Sequence, residues 1–174
     1  MENFAFYNPV KILFGKGQIA NIAAEIPAEA KILVVYGGGS IKTNGVYEQV
    51  KSALTGRSWL EFGGVEPNPQ LETLLKVVDL IRAKGIDFLL AVGGGSVVDG
   101  TKFIAAAVPF DGDPWDILSK HAPIKAALPF GVVLTLPATG SEMNTSSVIS
   151  KQATQEKLFF SSSLVFPKFS VLDP

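Results

Sequence analysis

The chain has 174 residues, 47% of them hydrophobic and 18% charged, with a formal net charge of −1. That is enough for one ordinary domain or one lobe of a larger protein, and the charge leaves no basic field to attract nucleic acid or anionic lipid. It has no cysteine and one histidine, His121, which excludes disulfides, thiolate metal sites and cysteine nucleophiles.

In chain order, residues 5–14 alternate loosely around Asn8-Pro9 and read as a short β-hairpin ending at Gly15-Lys16-Gly17. Residues 18–25 read as a short helix closed by Pro27. Lys31-Ile-Leu-Val-Val-Tyr36 is a buried strand of the parallel kind, followed at once by Gly37-Gly38-Gly39-Ser40. A helix over 46–54 and a short strand over 59–62 come next. The turn Glu66-Pro-Asn-Pro69 opens a helix over 70–84 that Gly85 terminates. Asp87-Phe-Leu-Leu-Ala-Val92 is a second buried strand, with Gly93-Gly94-Gly95-Ser96 and a helix over about 97–107 behind it. Gly131-Val-Val-Leu-Thr-Leu136 is a third, followed by Pro137-Ala138-Thr139-Gly140-Ser141. Short β-like pieces then lead to Phe169-Ser-Val-Leu172. Strand, turn and helix alternate, so the expected fold is α/β: a Rossmann-like parallel sheet with helices on both faces and a short N-terminal hairpin, forming one domain over 1–174.

Ligands of such sheets bind at the carboxyl ends of the strands. Three of those ends are rich in glycine, serine or threonine. Glycine lets backbone approach a phosphate closely and take positive φ, and the N–H groups at the start of the next helix favour an anion. Two glycine runs after buried strands point to a pyrophosphate more than to plain tight turns. Neither run satisfies G-x-G-x-x-G, and no G-K-[ST] phosphate loop is present. Asp99 and Lys102 fall in the first turns of the helix after the second run. Asp99, three residues past Ser96, reads either as a capping-box acid or as a group near the cofactor. The residues alone give a nucleotide- or phosphate-binding α/β domain.

Longer stretches carry a resemblance. Ile12-Leu-Phe-Gly-Lys-Gly17, Tyr36-Gly-Gly-Gly-Ser40, Leu60-Glu-Phe-Gly-Gly64, Phe88 through Ile104, Asp113-Pro-Trp115, Leu134 through Glu142 and Val171-Leu-Asp-Pro174 resemble the iron-containing alcohol dehydrogenases, most closely the butanol dehydrogenase and NADPH-dependent aldehyde reductase branch. The resemblance implies a dehydroquinate synthase-like N-terminal lobe that binds NAD(P), with a helical metal-binding lobe beyond these residues. It implies pyrophosphate contacts from Gly94, Gly95 and Ser96. Thr139 and Ser141 would stand near the pyrophosphate and nicotinamide ribose, Asn68 on the adenosine side, Lys157 at a ribose and Asp99 at the nicotinamide end. NAD-preferring relatives carry an aspartate in the turn matching Gly38, Gly39 and Ser40; this turn has none, which favours NADP, with Ser40 and Lys42 as phosphate partners.

The family's iron or zinc is held by one aspartate and three histidines, all downstream of the stretch matching Val171-Leu-Asp-Pro174. One loop histidine does not make a metal site, so this chain is expected to bind no metal and to be catalytically silent alone. The implied substrates of the intact enzyme are primary alcohols and aldehydes. A homodimer through the N-terminal strands, with Phe4, Phe6 and Ile12 at the edge, is also implied. No signal peptide and no apolar run of about 20 residues are visible, so a cytoplasmic protein with no membrane partner is expected. The competing readings are a nucleotide-binding module without catalysis and a dehydroquinate synthase-type enzyme.

Overall fold

The three apolar runs, separated in sequence by helices, become neighbours in space. In the computed structural model, which describes residues 3–5 and 7–174, Ile32–Tyr36 (β2), Phe88–Gly94 (β4) and Phe130–Leu136 (β5) pair in parallel at the centre of a sheet. Trp59–Phe62 (β3) flanks β2, Phe169–Leu172 (β8) flanks β5, and Lys11–Phe14 (β1) closes the far edge. The order is β1-β8-β5-β4-β2-β3, and every pairing in it is parallel.

Alternation along each strand feeds two cores. Leu33, Val35, Leu89 and Ala91 meet Leu71–Lys84 (α3) and Gly95–Ala107 (α4) on one face. Ile32, Val34, Phe88 and Leu90 meet Ile22–Glu25 (α1) and Val46–Ala53 (α2) on the other. Both faces are covered, which is why these runs are apolar at every position. Asp116–Ser119 (α5) and an antiparallel pair, Ser146–Lys151 (β6) with Glu156–Ser161 (β7), complete the α4 side.

Three local expectations change. Among the described residues of 5–14 only β1 is a strand, and its partner is β8 in parallel, so the N-terminal hairpin is replaced by a single edge strand. Its position is fixed from the other end of the chain: the Asp173 carboxylate accepts from the Gly17 amide (2.9 Å) and the Ile19 amide (3.0 Å). The helix expected over 18–25 is a 3-10 turn, Gln18–Asn21, followed by the single turn α1. Helix α4 starts at Gly95, inside the glycine run.

Gly131 has a packing reason. A Cβ there would fall 2.2 Å from the Phe169 ring, which stacks with Phe88 at 6.4 Å between centroids. The cross-strand seat for Phe169 therefore requires the absence of a side chain. Gly131→Ala is expected to destabilise by about 2 kcal/mol through overpacking, lowering the thermal midpoint by roughly 4–8 °C for a chain of this size; a melting curve by circular dichroism checks it.

Candidate functional site

The carboxyl ends of β2, β4 and β5 open into a cleft of about 510 Å³. Its floor is Gly37–Gly38 after β2, Gly94–Ser96 where β4 becomes α4, and Leu136, Ala138 and Thr139 at and just after the end of β5. Its roof comes from the Pro67–Pro69 turn before α3 and from Val148 and Lys157 on β6 and β7.

Eight of the residues singled out from sequence line this cleft: Gly38, Asn68, Gly94, Gly95, Ser96, Asp99, Thr139 and Lys157. Gly39 borders an adjoining hollow together with Gly37, Gly38 and Lys42, and Ser40, exposed, opens the short turn beside it. Ser141 does not line the cleft; it is 2% exposed and stands behind Asp99.

The glycine run after β4 is a steric device. None of Gly93, Gly94 and Gly95 has positive φ, so conformational freedom is not their reason. A Cβ on Gly95 would lie 2.9 Å from Thr139 Oγ1, and one on Gly93 would lie 2.6 Å from Val97 Cγ2. A side chain at Gly95 would narrow the cleft, and one at Gly93 would collide with the first turn of α4. Above it, α4 presents unpaired N–H groups with no side-chain cap and no acid in its first turn. That combination fits an anion, and the same cleft is lined also by Asn68 and Asp99. The residues present thus fit a dinucleotide, the cradle of Gly94, Gly95, Ser96 and Thr139 being suited to a phosphate.

Asn68 adopts φ 59 at the roof, a left-handed conformation asparagine tolerates better than most residues. Its amide donates to Ser96 Oγ at 3.3 Å and its Oδ1 accepts from Lys157 Nζ at 2.7 Å. This chain of bonds ties the roof to the N-terminus of α4.

Asp99 corrects a sequence expectation. The N-cap of α4 is Gly94, so Asp99 is not the acid of a capping box started by Ser96. Its carboxylate instead accepts from Ser141 Oγ at 2.5 Å and from the Val148 amide at 3.1 Å. Burial raises its pKa above the ordinary aspartate value, against the pull of those two donors and of Lys102.

Lys102 is the polar group whose role sequence reasoning missed. It is fully buried and donates to Ser141 Oγ (2.9 Å), Asn144 Oδ1 (2.8 Å) and the Ser146 carbonyl (2.8 Å). All three ammonium hydrogens are used, and α4 is pinned to the segment that carries Thr139 into the cleft. Those acceptors lie 39 to 44 residues downstream, with no local signal for the pairing; the only hint was a lysine three residues from Asp99 on an otherwise apolar helix. Burial lowers the Lys102 pKa to about 8, against the opposing pull of Asp99 and Glu142.

A metal does not fit these residues. Among the described residues no group of three or more His, Cys, Asp or Glu side chains could hold one. His121, at φ 51, lies exposed in the loop after α5. No described helix is long and apolar enough to cross a membrane.

Sheet and cleft together define an α/β lobe with a glycine-lined cleft at the carboxyl ends of its central parallel strands. Residues 9–174 match the profile of the iron-containing alcohol dehydrogenases, and the chain belongs to that family. It is 56% identical over 177 residues to the NADPH-dependent aldehyde reductase YqhD of Escherichia coli, covering 100% of this chain and 46% of that protein. It is also 56% identical to the probable NADH-dependent butanol dehydrogenase 2 of Bacillus subtilis, covering 100% and 45%. The crystal structure of Escherichia coli YqhD superposes with a TM-score of 0.96 at 55% identity, covering 99% of this chain and 45% of that one. The NADH-dependent butanol dehydrogenase A of Thermotoga maritima gives 0.95 at 47% identity, covering 100% and 45%. The chain therefore spans about half the length of these relatives, and corresponds to their N-terminal half.

Two outcomes are expected for Lys102→Met. The loss of three buried hydrogen bonds destabilises by about 3 kcal/mol, read as a lowered denaturant midpoint. The difference from the unchanged protein should also depend on pH. Lys102 has a folded-state pKa below its unfolded value of 10.5, so between pH 8 and 10.5 the unfolded chain binds the extra proton. Folding of the unchanged protein is thus favoured progressively as pH rises through that window. The stability gap over Lys102→Met should widen there, and urea titrations at pH 7, 9 and 10 measure it.

Proposed function

We propose that this chain is the NADP-binding lobe of an alcohol dehydrogenase that acts as an aldehyde reductase, interconverting primary alcohols and aldehydes by hydride transfer. The observation that carries the reading is the cleft itself: a glycine cradle under the uncapped N-terminus of α4, extended by Asn68 and Lys157 at the roof and by Asp99 at the far end. The cofactor, when bound, supplies or receives the hydride at its nicotinamide. The chain's own residues do the positioning. Gly94, Gly95, Ser96 and Thr139 hold the phosphates, Asn68 and Lys157 the sugar side, and Asp99, braced by Ser141, the nicotinamide end.

The cofactor preference rests on the turn after β2. Relatives of equal identity are named for opposite cofactors, so the turn's chemistry carries the choice. It has no acid of its own, Ser40 is exposed, and Lys42 stands at its edge. NADPH should bind the chain more tightly than NADH in a calorimetric titration; equal affinities would overturn the preference. An aspartate tests the turn best at Gly38, where a Cβ meets nothing within 4 Å, because Gly39 at φ 98 would be strained by any side chain. Gly38→Asp should shift the affinity ratio toward NADH by about tenfold, roughly 1.4 kcal/mol, through repulsion of the 2′-phosphate.

The 174 residues by themselves are expected to oxidise no NADPH with butanal, since their described side chains offer no metal ligand cluster and a carbonyl reduction needs charge stabilisation at the oxygen. Turnover stimulated by added Zn²⁺ or Fe²⁺ would defeat this expectation. Self-association is proposed through β1, an edge strand with exposed Phe14 and with exposed Phe4 and Tyr7 just before it; Phe6, expected at the same edge, lies outside the described residues. Light scattering that gives a monomer at high concentration would remove that part of the proposal.

A further inference from the structure

Beside the main cleft, Gly37–Gly39, Lys42 and Gly63–Gly64 surround an open hollow of about 360 Å³. Tyr36 forms one wall, and its ring presses on Gly63 so closely that a Cβ there would lie 2.4 Å from it. Among the described residues lining the hollow, Lys42 is the one cation. It is not free. Its Nζ lies 2.9 Å from Glu61 Oε1, and sits 5.0 Å and 4.7 Å from the ring centroids of Tyr36 and Tyr47. The Tyr36 hydroxyl donates to the same Glu61 oxygen at 3.3 Å. Glu61 comes from β3, the far edge strand, and shares register with Val34 of β2, so the sheet itself delivers a carboxylate to the mouth of a turn that carries no acid in its own sequence.

We propose that Glu61 is a specificity-determining residue: by engaging Lys42 it restrains the preference of this turn for a 2′-phosphorylated cofactor over one with a free 2′-hydroxyl. The inference rests on the reading of the cleft as a dinucleotide site. A phosphate dianion arriving in the hollow draws on Lys42 and meets the Glu61 carboxylate at contact range of the same ammonium. It must share the lysine or displace the glutamate, and an exposed ion pair is weak enough to be displaced. A ribose hydroxyl carries no charge and can bond either the carboxylate or the ammonium, so it responds much less to the exchange. The pair is partly exposed, with side chains 42% and 34% accessible, so the effect is screened by salt.

The test measures dissociation constants for NADPH and NADH with the unchanged chain, Glu61→Gln, Lys42→Met and the double variant, at low and at physiological salt. Glutamine keeps the size and an acceptor for Tyr36 and removes the charge. Glu61→Gln should tighten NADPH by about three- to fivefold, the upper part of the range expected for one exposed charge interaction, and change NADH less than twofold. The gain should shrink at higher salt and vanish in the Lys42→Met background, as coupling through Lys42 requires. Dinucleotide binding with an unchanged NADPH-to-NADH ratio in Glu61→Gln, in a variant that melts like the unchanged chain, overturns the role of Glu61 and leaves the cleft reading intact. A gain that persists in full without Lys42 also overturns it. Failure of the unchanged chain to bind either dinucleotide overturns the cleft reading, and this proposal with it.

Discussion

The burial of helix α4 governs the arrangement of everything around it. Ten of its thirteen residues are buried, because it lies under the β6–β7 pair on one side and against β4 and β5 on the other. A helix enclosed in this way has little freedom to slide or rotate, since close-packed interiors resist displacement. Its N-terminus is consequently held at the end of β4, where its unpaired N–H groups face the cleft. Gly93 and Gly95 are the condition for that placement: Val97 and Thr139 occupy the space their side chains would need.

The same helix carries the polar bonds that order the cleft's rim. Lys102 reaches forward to Ser141, Asn144 and Ser146, and Asp99 reaches to Ser141 and Val148. Ser141 is shared, so lysine, serine and aspartate form one buried chain of donors and acceptors, and the Ser147 hydroxyl adds a bond to the Asp99 carbonyl at 2.7 Å. Satisfied buried polar groups of this kind are costly to break, and they fix the segment after β5 relative to α4. The cleft's two ends therefore have different characters. The Asp99 end is rigid and internally bonded. The Lys42 end is open, solvent-exposed and held by a single ion pair with two tyrosine rings.

That contrast is consistent with relatives of equal sequence identity being named for different cofactors. The glycine cradle is built from backbone and packing, and single surface substitutions scarcely alter it. The adjoining hollow is lined by five glycines, the buried Tyr36 and the exposed Lys42, and its one charge is paired with the exposed Glu61, an interaction that acts at short range and is easily rebalanced. Glu61 illustrates the point: it lies on an edge strand of the sheet, more than twenty residues from the turn at whose edge its partner Lys42 stands.

The sequence by itself determined the α/β class, the three central strands and the glycine turns behind them. Runs such as Ile32–Tyr36 are apolar at every position because both faces of a parallel strand are buried, and that property is local. It determined equally that Gly94, Gly95, Ser96 and Thr139 belong to one strand-end site, since the carboxyl ends of parallel strands lie on one side of the sheet. Only the tertiary structure decided the rest. The edge strand β1 finds its partner in β8, over 150 residues away, a pairing no alternation pattern of residues 5–14 could disclose, so the segment was read as a hairpin. The single-turn ends of helices, at 18–25 and at Gly95, depend on what the backbone meets in space. For Asp99 the sequence leaves a capping role and a place near the cofactor both open, because spacing along a helix is visible in sequence, whereas Ser141 and the Val148 amide, which it bonds, lie on another segment. Lys102 and Glu61 gave no local sign of their partners for the same reason: a hydrogen bond or ion pair between distant segments exists only once the fold has closed the distance.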